Sequence, residues 1–176
     1  MNIVEGDLLN FSHGINRIAH SCNTLNVMGA GIAKAIKNFF PYAWQADCIA
    51  HKNKKNILGS YSFAWADIDS GDCQKGIYNL YTQSSIGIGR EVNYEAFYLA
   101  LSKVRDDMEA NLMQSGEDMT LGLPYGISCG LAGGNWTIIS AMINDIFQDS
   151  PVNVLIVELI NQHHSHNDRS LATKTY

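Results

Sequence analysis

The chain has 176 residues, 46% of them hydrophobic and 16% charged, which excludes a disordered segment or a charged coiled coil. Seventeen acidic residues against 12 Lys and Arg give a formal net charge of -5, which argues against a broad electrostatic grip on nucleic acid. No run of about 18 apolar residues occurs, the first residues lack the basic and apolar pattern of a secretory leader, and the four cysteines are scattered without a C-x-x-C pair. These features lead us to expect a cytoplasmic protein with reduced thiols, no membrane partner, no metal ligand set and no cofactor.

Predicted strands and helices alternate along the chain. The first strand is residues 2–4 and the second 17–21, both short apolar runs. Residues 31–40 carry Ile32, Ala35, Ile36, Phe39 and Phe40 at helical spacing, and Pro41 stops that helix. A second helix is expected over 41–53, its polar end His51-Lys52-Asn53-Lys54-Lys55 reading as a solvated terminus. Strands at 58–65 and 76–82 follow. Then comes a long helix over 93–115 with Phe97, Leu101, Val104, Met108 and Leu112 on one face and Gly116 as its stop. A strand at 119–123, a helix at 137–147 and a strand at 152–158 complete the domain, expected to span 1–160. Residues 161–176 read as a polar tail; a metal site built on His163, His164 and His166 would need further ligands from elsewhere. This alternation predicts a three-layer α/β/α sandwich on a mixed, largely parallel sheet, with ligands bound in loops after the carboxyl ends of strands.

Four such loops carry unusual residues. Asp7 follows the first strand, as an N-cap or as an acceptor for an exocyclic amine. The run His20-Ser21-Cys22-Asn23 continues through Met28-Gly29-Ala30-Gly31-Ile32-Ala33 into a helix, where glycines let backbone amides approach a phosphate. It matches neither G-x-x-x-x-G-K-[ST] nor G-x-G-x-x-G. His20 reads either as a general acid, base or nucleophile, or as a structural hydrogen-bonder. From Gly126 to Gly134, four of nine residues are glycine, a second cradle for anions. The loop from Thr82 to Glu91 is polar and follows an apolar strand, as a solvent loop or a ligand-facing one. Cys22 and Cys129 read as packing thiols, since nothing beside them activates a thiolate. Two glycine-rich strand-to-helix loops in one small domain point to a ligand with a diphosphate.

Taken together, Gly6-Asp7-Leu8, His20-Ser21-Cys22-Asn23, Met28-Gly29-Ala30-Gly31-Ile32-Ala33, Leu80-Tyr81-Thr82-Gln83 and Leu123-Pro124-Tyr125-Gly126-Ile127-Ser128-Cys129-Gly130-Leu131 resemble the macro domain family over residues 1–160. The resemblance implies an ADP-ribose pocket. Asp7 and Leu8 would meet the adenine, with Leu159 near it. Asn23, Met28, Gly29, Ala30, Gly31 and Ile32 would hold the distal ribose and part of the diphosphate. Ser128, Cys129, Gly130, Leu131, Ala132 and Gly133 would wrap the diphosphate. The His20 loop is similar to that of ADP-ribose-1''-phosphate phosphatases, small macro proteins of fungi and some phages, implying a catalytic role for His20 with an acid on a facing loop. No aspartate occupies residues 82–90, and Glu91 is the nearest carboxylate. The alternatives are a binding module for ADP-ribose or a related nucleotide, and removal of ADP-ribose from macromolecules. Against the last, related terminal glycohydrolases carry a lysine and an aspartate where this chain has Gln83 and Ala132.

Overall fold

The computed structural model describes residues 2–53, 56–66, 75–87 and 89–159. Six strands, β1 (Asn2–Glu5), β2 (Arg17–Asn23), β3 (Tyr61–Trp65), β4 (Gly76–Gln83), β5 (Thr120–Pro124) and β6 (Asn153–Glu158), form one sheet in the order β1-β6-β5-β2-β4-β3. Every pairing is parallel except β3 with β4. Parallel neighbours require crossovers, and the helices α1 (Gly31–Phe39), α2 (Pro41–Asn53), α3 (Tyr94–Ser115) and α4 (Trp136–Phe147) supply them. A single 3-10 turn, Leu8–Asn10, follows β1.

The sheet is apolar on both faces because it is covered on both. On one side Ile18, Ile77 and Leu155 pack with Ile36 of α1 and Phe40 and Ala43 around the α1–α2 junction. On the other, Ala19, Tyr78, Leu80, Leu121 and Leu123 meet Phe97, Leu101 and Val104 of α3 and Ile139 and Ile143 of α4. Adjacent residues such as Ile18 and Ala19 thus serve opposite layers, as a period of two demands. The expected three-layer sandwich is the fold observed.

Caps set where the helices begin. Asn93 accepts from the Ala96 N–H at 2.9 Å and starts α3, and Asn135 accepts from the Thr137 N–H at 2.9 Å and starts α4. Gly116 closes α3 in the left-handed conformation at φ 69°. One expected boundary is corrected. The strand predicted from Leu58 begins at Tyr61, because Leu58 and Gly59 form a turn with Gly59 at φ 71° and cannot continue a ladder. The tail, with its three histidines, lies outside the described residues, as do Lys54 and Lys55 of the basic run. No described helix is long and apolar enough to cross a membrane. Among the described residues no group of three or more His, Cys, Asp or Glu is placed to hold a metal ion.

Candidate functional site

A cleft of about 530 Å³ opens at the carboxyl ends of β2, β4 and β5, within the size range of small-molecule sites. Its first wall is the turn from β2 into α1. The Asn23 side chain builds that turn: Oδ1 accepts from the Leu25 and Val27 N–H groups at 3.0 and 3.2 Å, and Nδ2 donates to the Val27 carbonyl at 2.7 Å. Gly31 then enters α1 at φ 54°, a conformation that penalises a Cβ. The helix has no side-chain cap, since Ala30 occupies the N-cap position. The N–H groups of Gly31, Ile32 and Ala33 have no intrahelical acceptor, and all three residues line the cleft.

The second wall is the β5–α4 loop. Its own turns consume some amides: Ile127 donates to Pro124, Cys129 to Gly126, Gly133 to Gly130 and Gly134 to Ser128, at 2.8 to 3.0 Å. The N–H groups of Ser128, Gly130, Leu131 and Ala132 have no acceptor among the described residues, and these four also line the cleft. Ser128 adopts φ 62°, rare for a residue other than glycine, and its hydroxyl lies 2.5 Å from that of Ser21, tying the loop to β2. Gly133 sits at φ 65°, where an added Cβ would clash with the Gly89 carbonyl oxygen. The third side comes from Gln83, Ile86, Gly87 and Glu91 of the β4–α3 loop. Ser85 donates its hydroxyl to the Glu91 carboxylate, and the Glu91 N–H donates to the Ala132 carbonyl at 3.0 Å. Among the described residues, Glu91 is the one charged residue lining the cleft, and no lysine or arginine does.

Of the residues predicted from sequence, the structure brings Asn23, Gly29, Ala30, Gly31, Ile32, Glu91, Ser128, Gly130, Leu131 and Ala132 to this cleft. Met28 faces inward instead, packed with Cys22, Ile57 and Tyr81. Leu8 belongs to the core beneath α1. Cys129 turns its thiol to the Ile127 carbonyl at 3.3 Å, and Gly133 lies behind the wall, so neither lines the cleft. Asp7 and Leu159 are exposed at the ends of β1 and β6, on the same edge of the sheet but outside the cleft. Asp7 caps the 3-10 turn through the Leu9 N–H at 2.9 Å.

The structure does not bring His20 to the cleft. Its ring has no exposed surface and is not part of the cleft lining. Nε2 donates to Asn79 Oδ1 at 2.7 Å, since the Asn79 amide nitrogen is committed to the Ala43 carbonyl and the Ser62 hydroxyl. The Cys22 thiol lies 3.6 Å from Nδ1. Burial lowers the His20 pKa to about 4, the Asn79 hydrogen bond offsetting part of that effect. A neutral, enclosed imidazole is a structural hydrogen-bonder. The Cys22 thiol borders the cleft, but burial, and then the Asp47 charge, raise its pKa, which keeps it inert.

Sequence reasoning passed over Ser21, Tyr125 and Ile86. Tyr125 stands on the rim with its ring centroid 5.0 Å from that of Trp136. Its signal was its place, directly after a buried strand and before a glycine.

No family model matches the chain. It is 30% identical over 159 residues to an uncharacterised 17.5 kDa protein of the tk–vs intergenic region of enterobacteria phage T4, covering 88% of this chain and 94% of that protein. A macrodomain protein from Streptomyces coelicolor superimposes with a TM-score of 0.68 at 26% identity, over 89% of this chain and 97% of that one. Thermosipho africanus DarTG, solved in complex with ADP-ribose, aligns with a TM-score of 0.66 at 20% identity over 92% of this chain and 42% of that one. With the strand order, the two glycine-rich loops at the carboxyl edge and these likenesses in hand, the chain has the macro domain fold.

Proposed function

We propose that the cleft binds ADP-ribose, with its diphosphate between the α1 amino terminus and the β5–α4 loop. One observation carries this reading. Among the described residues, two sets of unengaged backbone N–H groups, at residues 31–33 and 130–132, border one cleft that no basic side chain lines. Such amides suit an anion whose charge is spread over several oxygens, and the α1 dipole adds partial positive charge. Asp7 at the adjoining edge offers a carboxylate oxygen to the adenine amine, and the exposed Leu159 offers apolar surface beside it. The complex of Thermosipho africanus DarTG with ADP-ribose supports the choice of ligand within this fold. Calorimetric titration tests it: ADP-ribose binds one per chain and more tightly than AMP, whereas absence of heat with ADP-ribose overturns the assignment.

A second reading is hydrolysis of ADP-ribose 1''-phosphate to ADP-ribose and phosphate, favoured by Glu91 as the single carboxylate on the wall among the described residues. Glu91 takes a proton from a water whose oxygen forms the new bond to phosphorus. The bond from phosphorus to the ribose oxygen breaks, and that oxygen receives the proton from Glu91. His20 has no contact with the reacting atoms in this scheme. Phosphate release that Glu91→Gln loses while still binding ADP-ribose supports it. Binding without release in the unmutated protein makes the cleft a reader of ADP-ribose.

A further inference from the structure

A chain of polar side chains beneath the cleft is used by none of this chemistry. The Asp47 carboxylate of α2, 1% exposed, accepts from the Tyr81 hydroxyl at 2.9 Å and from Asn26 Nδ2 at 2.8 Å. One turn along α2, His51 receives the Asn26 backbone N–H on Nε2 at 3.1 Å. Its Nδ1 lies 2.8 Å from the Asp47 carbonyl and 3.2 Å from the Asp47 carboxylate. A backbone N–H can only donate and a carbonyl can only accept, so both ring nitrogens are assigned: Nε2 bears no proton and Nδ1 bears one. Asn26 itself adopts φ 57°, and the next residues, Val27, Gly29, Ala30 and Gly31, line the cleft.

We infer that Asp47 and His51 are positioning residues for the cleft: neutral His51 holds Asn26 and the wall at residues 27–31, and a second proton on His51 releases that wall. A proton on Nε2 points at the Asn26 N–H, turning an attraction into donor against donor. The carboxylate still attracts the ring, so the part that yields is the loop. The ring is 18% exposed, open enough to exchange protons with solvent. The titratable groups around it are Asp47 and Cys48 of α2, Tyr81 of β4, whose ring meets it edge-on at 5.5 Å, and Cys22 of β2 behind Asp47. Burial raises the pKa of Tyr81 and Cys22, so both stay protonated at neutral pH and below. From β3 comes the neutral Ser62 and from α1 the apolar Ala33.

The inference rests on ADP-ribose as the ligand, and its test separates the two claims. His51→Gln places an amide oxygen near the position of Nε2, keeping an acceptor for Asn26 that cannot titrate. By calorimetry at about pH 8 this variant binds ADP-ribose as the unmutated protein does, while His51→Ala binds more weakly by about tenfold, the worth of one lost hydrogen bond. On acidification the unmutated protein loses affinity by about tenfold and His51→Gln does not. A flat profile in the unmutated protein, or the same fall in His51→Gln, overturns the inference. If no form binds ADP-ribose at any pH, the ligand assignment fails, and hydrogen exchange at the Asn26 amide decides alone. Loss of protection on acidification that is absent from His51→Gln sustains the positioning role, and equal protection in both ends it.

Discussion

A histidine at a strand end invites a catalytic reading, yet the Asn79 contact and full burial of His20 give it a different consequence. Its pKa falls from 6.5 to about 4 on folding, so the unfolded chain binds the proton more readily. Stability is therefore complete above about pH 6.5 and declines as pH falls toward 4, by about 3 kcal/mol in all. Urea unfolding across that range checks it: His20→Gln, which keeps a donor and cannot titrate, shows a shallower loss than the unmutated protein. Parallel curves would show that His20 is not the group responsible. The parity of β2 was legible, since Ile18, His20 and Cys22 alternate with Ala19 and Ser21. Which face met the cleft was not, because a strand covered on both sides carries no polar face to mark solvent. Asn23 has a second role beside its place in the lining. It lines the cleft as expected, but its side-chain bonds shape the turn and leave the ligand to the backbone.

Among the helices, α1 differs in its start. Asn93 and Asn135 cap α3 and α4, whereas Ala30 leaves the first amides of α1 open to the cleft. Ala30 has the extended backbone of an N-cap, φ -148° and ψ 168°, so an aspartate would fit there. Ala30→Asp accordingly stabilises the fold by about 1 kcal/mol in thermal unfolding. It also places a carboxylate where the diphosphate is assigned and weakens ADP-ribose binding by about tenfold or more. Higher stability with unchanged affinity would move the diphosphate away from α1. The helices themselves were plain in the sequence, because Ile32, Ile36 and Phe97, Leu101, Val104, Met108 repeat at the spacing that burial imposes. The network of Asp47, His51, Asn26 and Tyr81 was not. Its i, i+4 pair is ordinary on a helix, and the partners that give it meaning arrive from β4 and a loop.

Across the whole molecule, the sheet order spreads the proposed ligand along one edge. The cleft lies where β2 and β5 end, and β6 and β1 continue the edge outward. The Tyr125 N–H bonds the Val157 carbonyl at 2.9 Å, and the Gly6 N–H bonds the Glu158 carbonyl at 3.0 Å. A continuous backbone ladder therefore fixes Asp7 relative to the cleft, with no loop free to alter the span. One Asp7 oxygen is occupied by the Leu9 N–H, which leaves the other for the adenine amine. Asp7→Asn keeps the cap and removes the charged acceptor, so ADP-ribose binding weakens by about tenfold. The ADP-ribose analogue with hypoxanthine in place of adenine lacks the amine. It binds the unmutated protein more weakly than ADP-ribose does and binds Asp7→Asn with little further change, because the two alterations delete one interaction. Equal losses for both ligands on Asp7→Asn would instead mean that the Asp7 charge acts without meeting the base amine, and would leave recognition of the base to Leu159 and its surroundings.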